Sequence, residues 1–235
     1  MREAILNRIS RRTFTEEALN QEEISKIQAM LDEINQEAGL ALSLMLDGEE
    51  AFANRSKSYG MFKNVKAILV MKADPSLENV EEKIGYYGQA LMLDLTDMGL
   101  GSCWVAGTFN KDYVEIPEGQ EMYCVIPVGH IDKVTMKEKM IRGTISKNRK
   151  PISERLTGSE DAPQWVLEAM KAVQLAPTAV NSQHPHFTYA GGKLTADVSG
   201  EWPTDLVDLG IAKKNFEEAA GGCFDLGNGA EFHKN

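Results

Sequence analysis

Arg11 and Arg12 stand side by side near the start of the chain, and Lys147, Arg149 and Lys150 form a second basic cluster far away in sequence. Guanidinium groups donate forked pairs of hydrogen bonds, so two such clusters converging on one point would suit a phosphate monoester. A solvated basic patch is the other reading of an adjacent arginine pair. The segment Ala176-Pro177-Thr178-Ala179-Val180-Asn181-Ser182-Gln183 carries Thr, Asn, Ser and Gln within six positions. Neutral donors and acceptors at this density fit a flat heterocycle with carbonyls and ring nitrogens. They also fit a surface turn whose Asn and Ser bond their own backbone. In Gly99-Leu100-Gly101-Ser102-Cys103-Trp104-Val105-Ala106-Gly107, the glycines would let backbone amides approach a ligand closely. A helix end followed by a strand would explain the first two glycines but not Gly107. The segment is not a dinucleotide fingerprint, because no strand leads into it and no helix opens at its glycines.

Other constellations carry less. His184-Pro185-His186 has no third metal ligand nearby, so no metal site is expected. Cys103 sits beside Trp104 in an apolar stretch without a neighbouring base and reads as core. Neither a serine nucleophile elbow nor a phosphate-cradling loop ending in Gly-Lys-Ser/Thr is present.

The elements that must position these residues are legible in outline. Asn20 followed by Glu23 forms a capping box, and Ile24, Ile27, Leu31 and Ile34 repeat at helical spacing up to Gly39. Strands are expected over 40–46, 67–71 and, interrupted by Pro127, within 121–131. The strongest helix runs over about 77–98, apolar on several sides, as befits a helix in the middle of a fold or at an interface. Residues 132–160 are polar and basic in the centre and read as a connection between two lobes. Pro163 opens a further helix that stops before Pro177. A hairpin turns at Gly191-Gly192, Thr204 or Asp205 caps a last helix ending at Gly221, and the tail around Gly227-Asn228-Gly229 forms a small hairpin or an arm.

At 235 residues with 43% apolar, the chain can bury a core without disulfides or a structural metal. Basic residues number 25 against 35 acidic, a formal charge of −10, which disfavours nucleic acid and anionic lipid as partners. Three widely spaced cysteines suit a reducing compartment. No signal-like or membrane-length apolar stretch is present, so a soluble, cytoplasmic protein is expected.

The two halves echo each other: Gly88, Ala90 and Gly99 recur at the same offsets as Gly210, Ala212 and Gly221, and Arg11–Glu16 resembles Arg149–Glu154. Together, Arg11-Arg12-Thr13, Gly-Leu-Gly-Ser-Cys-Trp, Val125-Ile126-Pro127-Val128-Gly129, Lys147-x-Arg149-Lys150-Pro151 and the 176–183 loop resemble the FMN-dependent nitroreductase family. In ordinary members that loop follows the first long helix; here it appears only at 176–183. The chain therefore looks like a fused, two-lobe branch of the family. The resemblance implies an α+β fold with mixed or antiparallel sheets flanked by helices, an internal pseudo-dimer of lobes 1–148 and 149–235. It implies that Arg11, Arg12, Thr13, Lys147 and Arg149 hold the FMN phosphate. Pro177, Thr178, Asn181 and Gln183 would contact the isoalloxazine and ribityl chain, and the Ala106 N–H, with Gly107, would reach flavin N5. The family's base near N1 and O2 is unassigned, since Thr15 stands two after Thr13; Lys57 is a candidate. The implied activity is hydride transfer from NAD(P)H to a small electron-poor acceptor, with the flavin and no side chain carrying the chemistry. A flavin-binding module without turnover and an interaction protein that has lost the site are the alternatives. Either a monomeric pseudo-dimer or a homodimer is compatible.

Overall fold

The computed structural model describes residues 1–53 and 60–235. Lys57 lies outside the described residues. In chain order the elements are α1 (Glu3–Asn7), α2 (Gln21–Ala38), β1 (Ser43–Met45), α3 (Glu49–Ala53), β2 (Ala67–Ala73), α4 (Val80–Asp97), β3 (Gly101–Ser102), β4 (Glu121–Gly129), α5 (Met136–Lys147), β5 (Leu156–Thr157), α6 (Gln164–Leu175), β6 (His186–Ala190), β7 (Lys193–Asp197), α7 (Asp205–Ala220), β8 (Gly222–Phe224) and β9 (Phe232–Lys234). They form two compact units that interleave in sequence. A sheet unit comprises Arg8–Val80 and Leu91–Gly143; a helical unit comprises Met1–Asn7, Glu81–Ala90 and Thr144–Asn235. Among the described residues no helix is long and apolar enough to cross a membrane.

The sheet unit holds one antiparallel sheet in the order β1-β2-β4-β3. Its inner strand β2 is almost wholly apolar and buried along nearly its whole length, as a strand covered on both faces must be. Phe14, Phe52, Val65, Ile68, Val105, Phe109 and Val125 pack into its core, each large side chain contributing roughly 1.5–3 kcal/mol by leaving water. β1 is shorter than expected, because the Asn35 side-chain amide takes the Leu42 N–H and also donates to the Leu42 carbonyl; the strand proper is 43–45, with one further bond from the Ala41 N–H to the Lys72 carbonyl of β2.

The expected break at Pro127 does not occur: β4 runs unbroken, with Pro127 opposite Ile68. Val125 exchanges hydrogen bonds with Val105, so by alternation the Pro127 nitrogen faces the same side. Pairing on that side is recorded at 125 and at 128–129 but not at 127, so the missing N–H costs no ladder bond.

The polar stretch 132–160, expected as a connection, contains the helix α5. Thr135 and Glu138 form its start: the Glu138 carboxylate accepts the Thr135 N–H at 2.8 Å, and Thr135 Oγ1 accepts the Glu138 N–H at 3.2 Å. Glu138 is the helix's one buried residue, whereas Met136 and Met140 are exposed, so no apolar stripe announces it.

In the helical unit β5 pairs parallel to β6, and β6 and β7 form the expected hairpin about Gly191-Gly192. Val166, Met170, Leu209, Phe187 and Phe216 fill its core, with the Phe216 ring 5.1 Å from Phe232 and 5.4 Å from Phe187. Residues 81–90 of α4 cross α7 here with no room for side chains. A Cβ on Gly210 would strike the Glu82 carbonyl, and one on Gly85 the Val207 carbonyl. The tail folds as the antiparallel hairpin β8–β9. Beneath it Lys213, fully buried, reaches Glu82 Oε1 at 2.6 Å and the Asp225 and Gly227 carbonyls.

Candidate functional site

In the sheet unit the first basic cluster lies on an extended segment strung between two neighbours. The Arg11 N–H donates to Ser102 O, and Lys63 N–H to Arg12 O, at 2.9 Å each. Gly101 permits this approach: a Cβ there would meet Ile131 Cγ2 and come within 3.0 Å of Arg11 Cβ.

Alternation along the segment sends the two arginines to different environments. Arg11 is buried; its Nε donates to Glu138 Oε1 at 3.3 Å and its Nη2 to the Asp132 carbonyl at 2.9 Å. The same Glu138 oxygen accepts the backbone N–H groups of Arg12 (2.9 Å) and Thr13 (3.3 Å), while Oε2 accepts the N–H and hydroxyl of Thr135. Burial opposes the charge on Glu138, but these donors and the Arg11 charge outweigh it and bring its pKa down to about 2. The anion that the Arg11–Thr13 segment holds is therefore the protein's own carboxylate.

Arg8, Ser10 and Arg12 occupy the alternate positions. Arg8 Nη1 donates to Ser10 Oγ and Arg12 Nη1 to Ser10 O, both at 3.5 Å. All three act on Cys103: burial pushes its thiol up, and the Arg12 and Arg8 charges and the Ser10 hydroxyl pull against that. Across the bridge from Ser10, the Ser102 hydroxyl is buried without a partner among the described residues. Arg8 and Ser10 were missed in the sequence; the signal that could have found them is the alternating Arg-x-Ser-x-Arg pattern. Ala106 and Gly107 follow directly on Val105, are exposed, and have open space where a Gly107 side chain would be.

In the helical unit the structure brings Lys147, Arg149, Pro177, Thr178, Asn181 and Gln183 into one locality. The agent is Gln183, which is buried. Its Oε1 accepts the Lys150 N–H at 2.9 Å, and its Nε2 donates to the carbonyls of Asn148 (2.9 Å) and Asn181 (3.3 Å). The Gln183 amide is thus spent on stitching the 177–183 loop to the 148–150 segment.

The loop is strained. Val180, Asn181 and Gln183 have φ values of 47°, 59° and 53°, and a β-branched residue in the left-handed region is a true outlier. Packing does not hold Val180 there, since it is 85% exposed. Hydrogen bonds do: the Gln183 N–H donates to Thr178 Oγ1 at 3.1 Å, and the Ala179 N–H and the Ser182 hydroxyl donate to Asp208. Burial raises the Asp208 carboxyl to about 7; the Ala179 and Ser182 donors resist this, and neighbouring Asp205 adds to it. Asp205 is buried as well, which opposes its charge, yet bonds from His184, the Trp202 N–H and the Ser199 hydroxyl hold it below its ordinary value. Arg155, fully buried, closes the loop's end by donating to the Pro185 carbonyl, and burial brings its pKa down to about 10.

Each unit thus gathers its own set of polar groups: Arg8, Ser10 and Arg12 near the buried Ser102 hydroxyl in the sheet unit, and the strained 177–183 loop joined to the 148–150 segment in the helical unit. Among the described residues no group of three His, Cys, Asp or Glu could hold a metal ion.

A family model described as "Putative TM nitroreductase" matches residues 1–220. Among solved structures, a "putative nitroreductase" from Thermotoga maritima is 20% identical with a TM-score of 0.66, covering 98% of this chain and 90% of that one. An FMN-dependent nitroreductase from Clostridium difficile is 21% identical with a TM-score of 0.47, covering 57% of this chain and 90% of that one. No curated protein matches.

Proposed function

The chain belongs to the nitroreductase family, and from that premise we propose that it is an FMN-dependent oxidoreductase taking hydride from NAD(P)H and reducing a small electron-poor acceptor such as a nitroaromatic, a quinone or a flavin. One observation carries the reading most strongly. Gln183, a residue of the loop expected to face the ring, spends its side chain on joining that loop to the segment expected to face the phosphate. Two motifs that resemble the family's flavin contacts, about thirty positions apart in sequence, are thereby held as one rigid piece.

Bound FMN would supply the centre that accepts and then donates hydride. The chain's own residues bind and orient. In the helical unit Lys147 and Arg149 would donate to the phosphate, while Pro177, Thr178 and Asn181 would face the ring, with Gln183 bracing them. In the sheet unit Arg12, whose Nη1 also donates to the Ser10 carbonyl, is the basic side chain that resembles the family's phosphate contact. Arg11 and the Thr13 N–H serve instead to seat Glu138. The exposed backbone at Ala106 and Gly107, in the sheet unit, is the segment that resembles the family's contact to flavin N5. No side-chain acid or nucleophile is required.

The visible absorption spectrum of the purified protein tests this, with identification of the chromophore released on denaturation. The expected result is a yellow protein releasing FMN; a colourless protein that takes up no FMN on reconstitution refutes the reading. Arg12→Ala and Lys147→Ala should weaken FMN more than riboflavin, because only FMN carries the phosphate. Rapid mixing with NADH or NADPH should bleach the bound flavin, whereas a flavin that stays oxidised would mark a binding module without turnover.

A further inference from the structure

The loop from Pro177 to Pro185 is tied down at four places, and three of the ties are backbone carbonyls or side chains at its far end. Gln183 is held by 148 and 150, His184 by Asp205 across 2.7 Å, and Pro185 by Arg155. The residues on either side of the strained turn at Val180 and Asn181 are gripped, among the described residues, by one side chain from outside the loop. Asp208, in the first turn of α7 and 3% exposed, takes the Ala179 N–H at 3.0 Å with Oδ2 and 3.2 Å with Oδ1. Its Oδ2 also accepts the Ser182 hydroxyl at 3.4 Å. The carboxylate therefore bridges the residues immediately before Val180 and after Asn181.

We propose that Asp208 is the positioning residue for the ring-facing turn: by gripping Ala179 and Ser182 together it holds Val180 and Asn181 in their left-handed form. The inference rests on the flavin reading for what the turn presents its groups to, but the grip is a property of the chain alone. Val180 is too exposed for packing to hold it. The turn's other bonds, from Asn181 N–H to Thr178 O, Ser182 N–H to Ala179 O and Gln183 N–H to Thr178 Oγ1, all close within the loop. Loss of the outside bridge would therefore free the backbone to relax toward a right-handed or extended form that any β-branched residue prefers. Such a change would rotate the Asn181 amide and the peptide groups on either side of it. Asp208 is too deeply enclosed, with Asp205, Arg155 and the His184 ring as neighbours, to act as an exchangeable surface acid. Asp208 Oδ2 accepts from both Ala179 and Ser182, so a single group at this position spans both ends of the turn.

The test compares wild type with Asp208→Ala and Asp208→Asn by amide hydrogen exchange over 178–183 and by titration with FMN and with riboflavin. Asn keeps an acceptor for Ala179 and can donate to Ser182 Oγ, so it separates the grip from the charge. Expected are faster exchange at Ala179 in the Ala variant and affinity for both flavins weakened by the same factor, about tenfold or more. The Asn variant should restore both readouts, together with the visible spectrum of the bound flavin. Unchanged exchange at Ala179 in the Ala variant, or unchanged riboflavin affinity despite faster exchange, overturns the positioning role. A loss confined to FMN overturns it too, since that would place the effect at the phosphate. Wild-type protein that binds neither flavin overturns the flavin reading itself. If the Ala variant does not fold, Ser182→Ala, which removes one of the two gripped ends, must show the same direction of change in exchange and in riboflavin affinity.

Discussion

Glu138 and Asp208 are both buried carboxylates, and each holds a segment expected to face the cofactor, yet they sit at opposite ends of the acidity scale. Glu138 collects donors on both oxygens, from Arg12, Thr13, Thr135 and the Arg11 guanidinium, and is an ion down to about pH 2. Among the described residues Asp208 collects the Ala179 N–H and the Ser182 hydroxyl, with Asp205 nearby, and burial carries it to about 7. Burial is common to the two; the number and charge of the donors differ. A buried carboxylate becomes a fixed structural ion where a cation and several N–H groups converge, and a titrating group near neutrality where they do not.

The largest expected effect comes from breaking the better-satisfied of the pair. Glu138→Ala leaves the Arg11 guanidinium buried and uncompensated and strips three backbone N–H groups of their acceptor, so urea unfolding should show a loss of about 4–5 kcal/mol. A loss below about 1 kcal/mol would mean that the 11–13 segment does not depend on this ion.

The second prediction sharpens the contrast through pH. For Asp208 the folded-state pKa lies above the ordinary 3.8, so the proton stabilises the fold. That contribution is complete below about pH 4 and is lost as the pH rises to about 7, on the order of 4 kcal/mol in all. Asp208→Asn should remove this slope and leave the protein more stable than wild type at pH 8. For Glu138 the sign is reversed: its folded pKa lies below the ordinary 4.5, so its contribution is present above that value and lost as the pH falls toward 2. Denaturant midpoints measured from pH 3 to 9 in wild type and the Asn variant check both signs. A variant with the wild-type slope would refute the assignment for Asp208.

Smaller effects follow from neutral and exposed groups. Gln183→Ala removes the bonds to Asn148 and Lys150 and should cost about 2 kcal/mol in urea unfolding, with faster proteolysis of the 177–183 loop. At the low end, the Lys26–Glu22 pair on α2 is fully exposed, and replacing both residues should leave the unfolding midpoint unchanged within error.

Much of the local structure could be read directly. The Asn20–Glu23 capping box and the left-handed Gly39 bound α2 as expected, because both involve residues within a few positions of each other. The Gly191-Gly192 hairpin is legible for the same reason. Thr135 and Glu138 carry the same signature as Asn20 and Glu23, but α5 lacks an apolar stripe, and its charged sequence reads as a connector. The buried charges were not legible at all. Glu82 and Lys213 lie 131 positions apart, and neither has a local pattern that marks it as interior.

The candidate site divides along the same line. Residue types and their grouping at 11–13, 147–150 and 176–183 follow from the sequence, and so does the resemblance they carry. Which of two adjacent arginines is buried against Glu138 and which lies beside Ser10 does not. That outcome depends on the face the segment turns toward Ser102 and toward the start of α5. Hydrogen bonds that close over three or four residues are encoded where they form. A partner for a buried charge is supplied by whatever the fold brings alongside, and only the packed chain decides it.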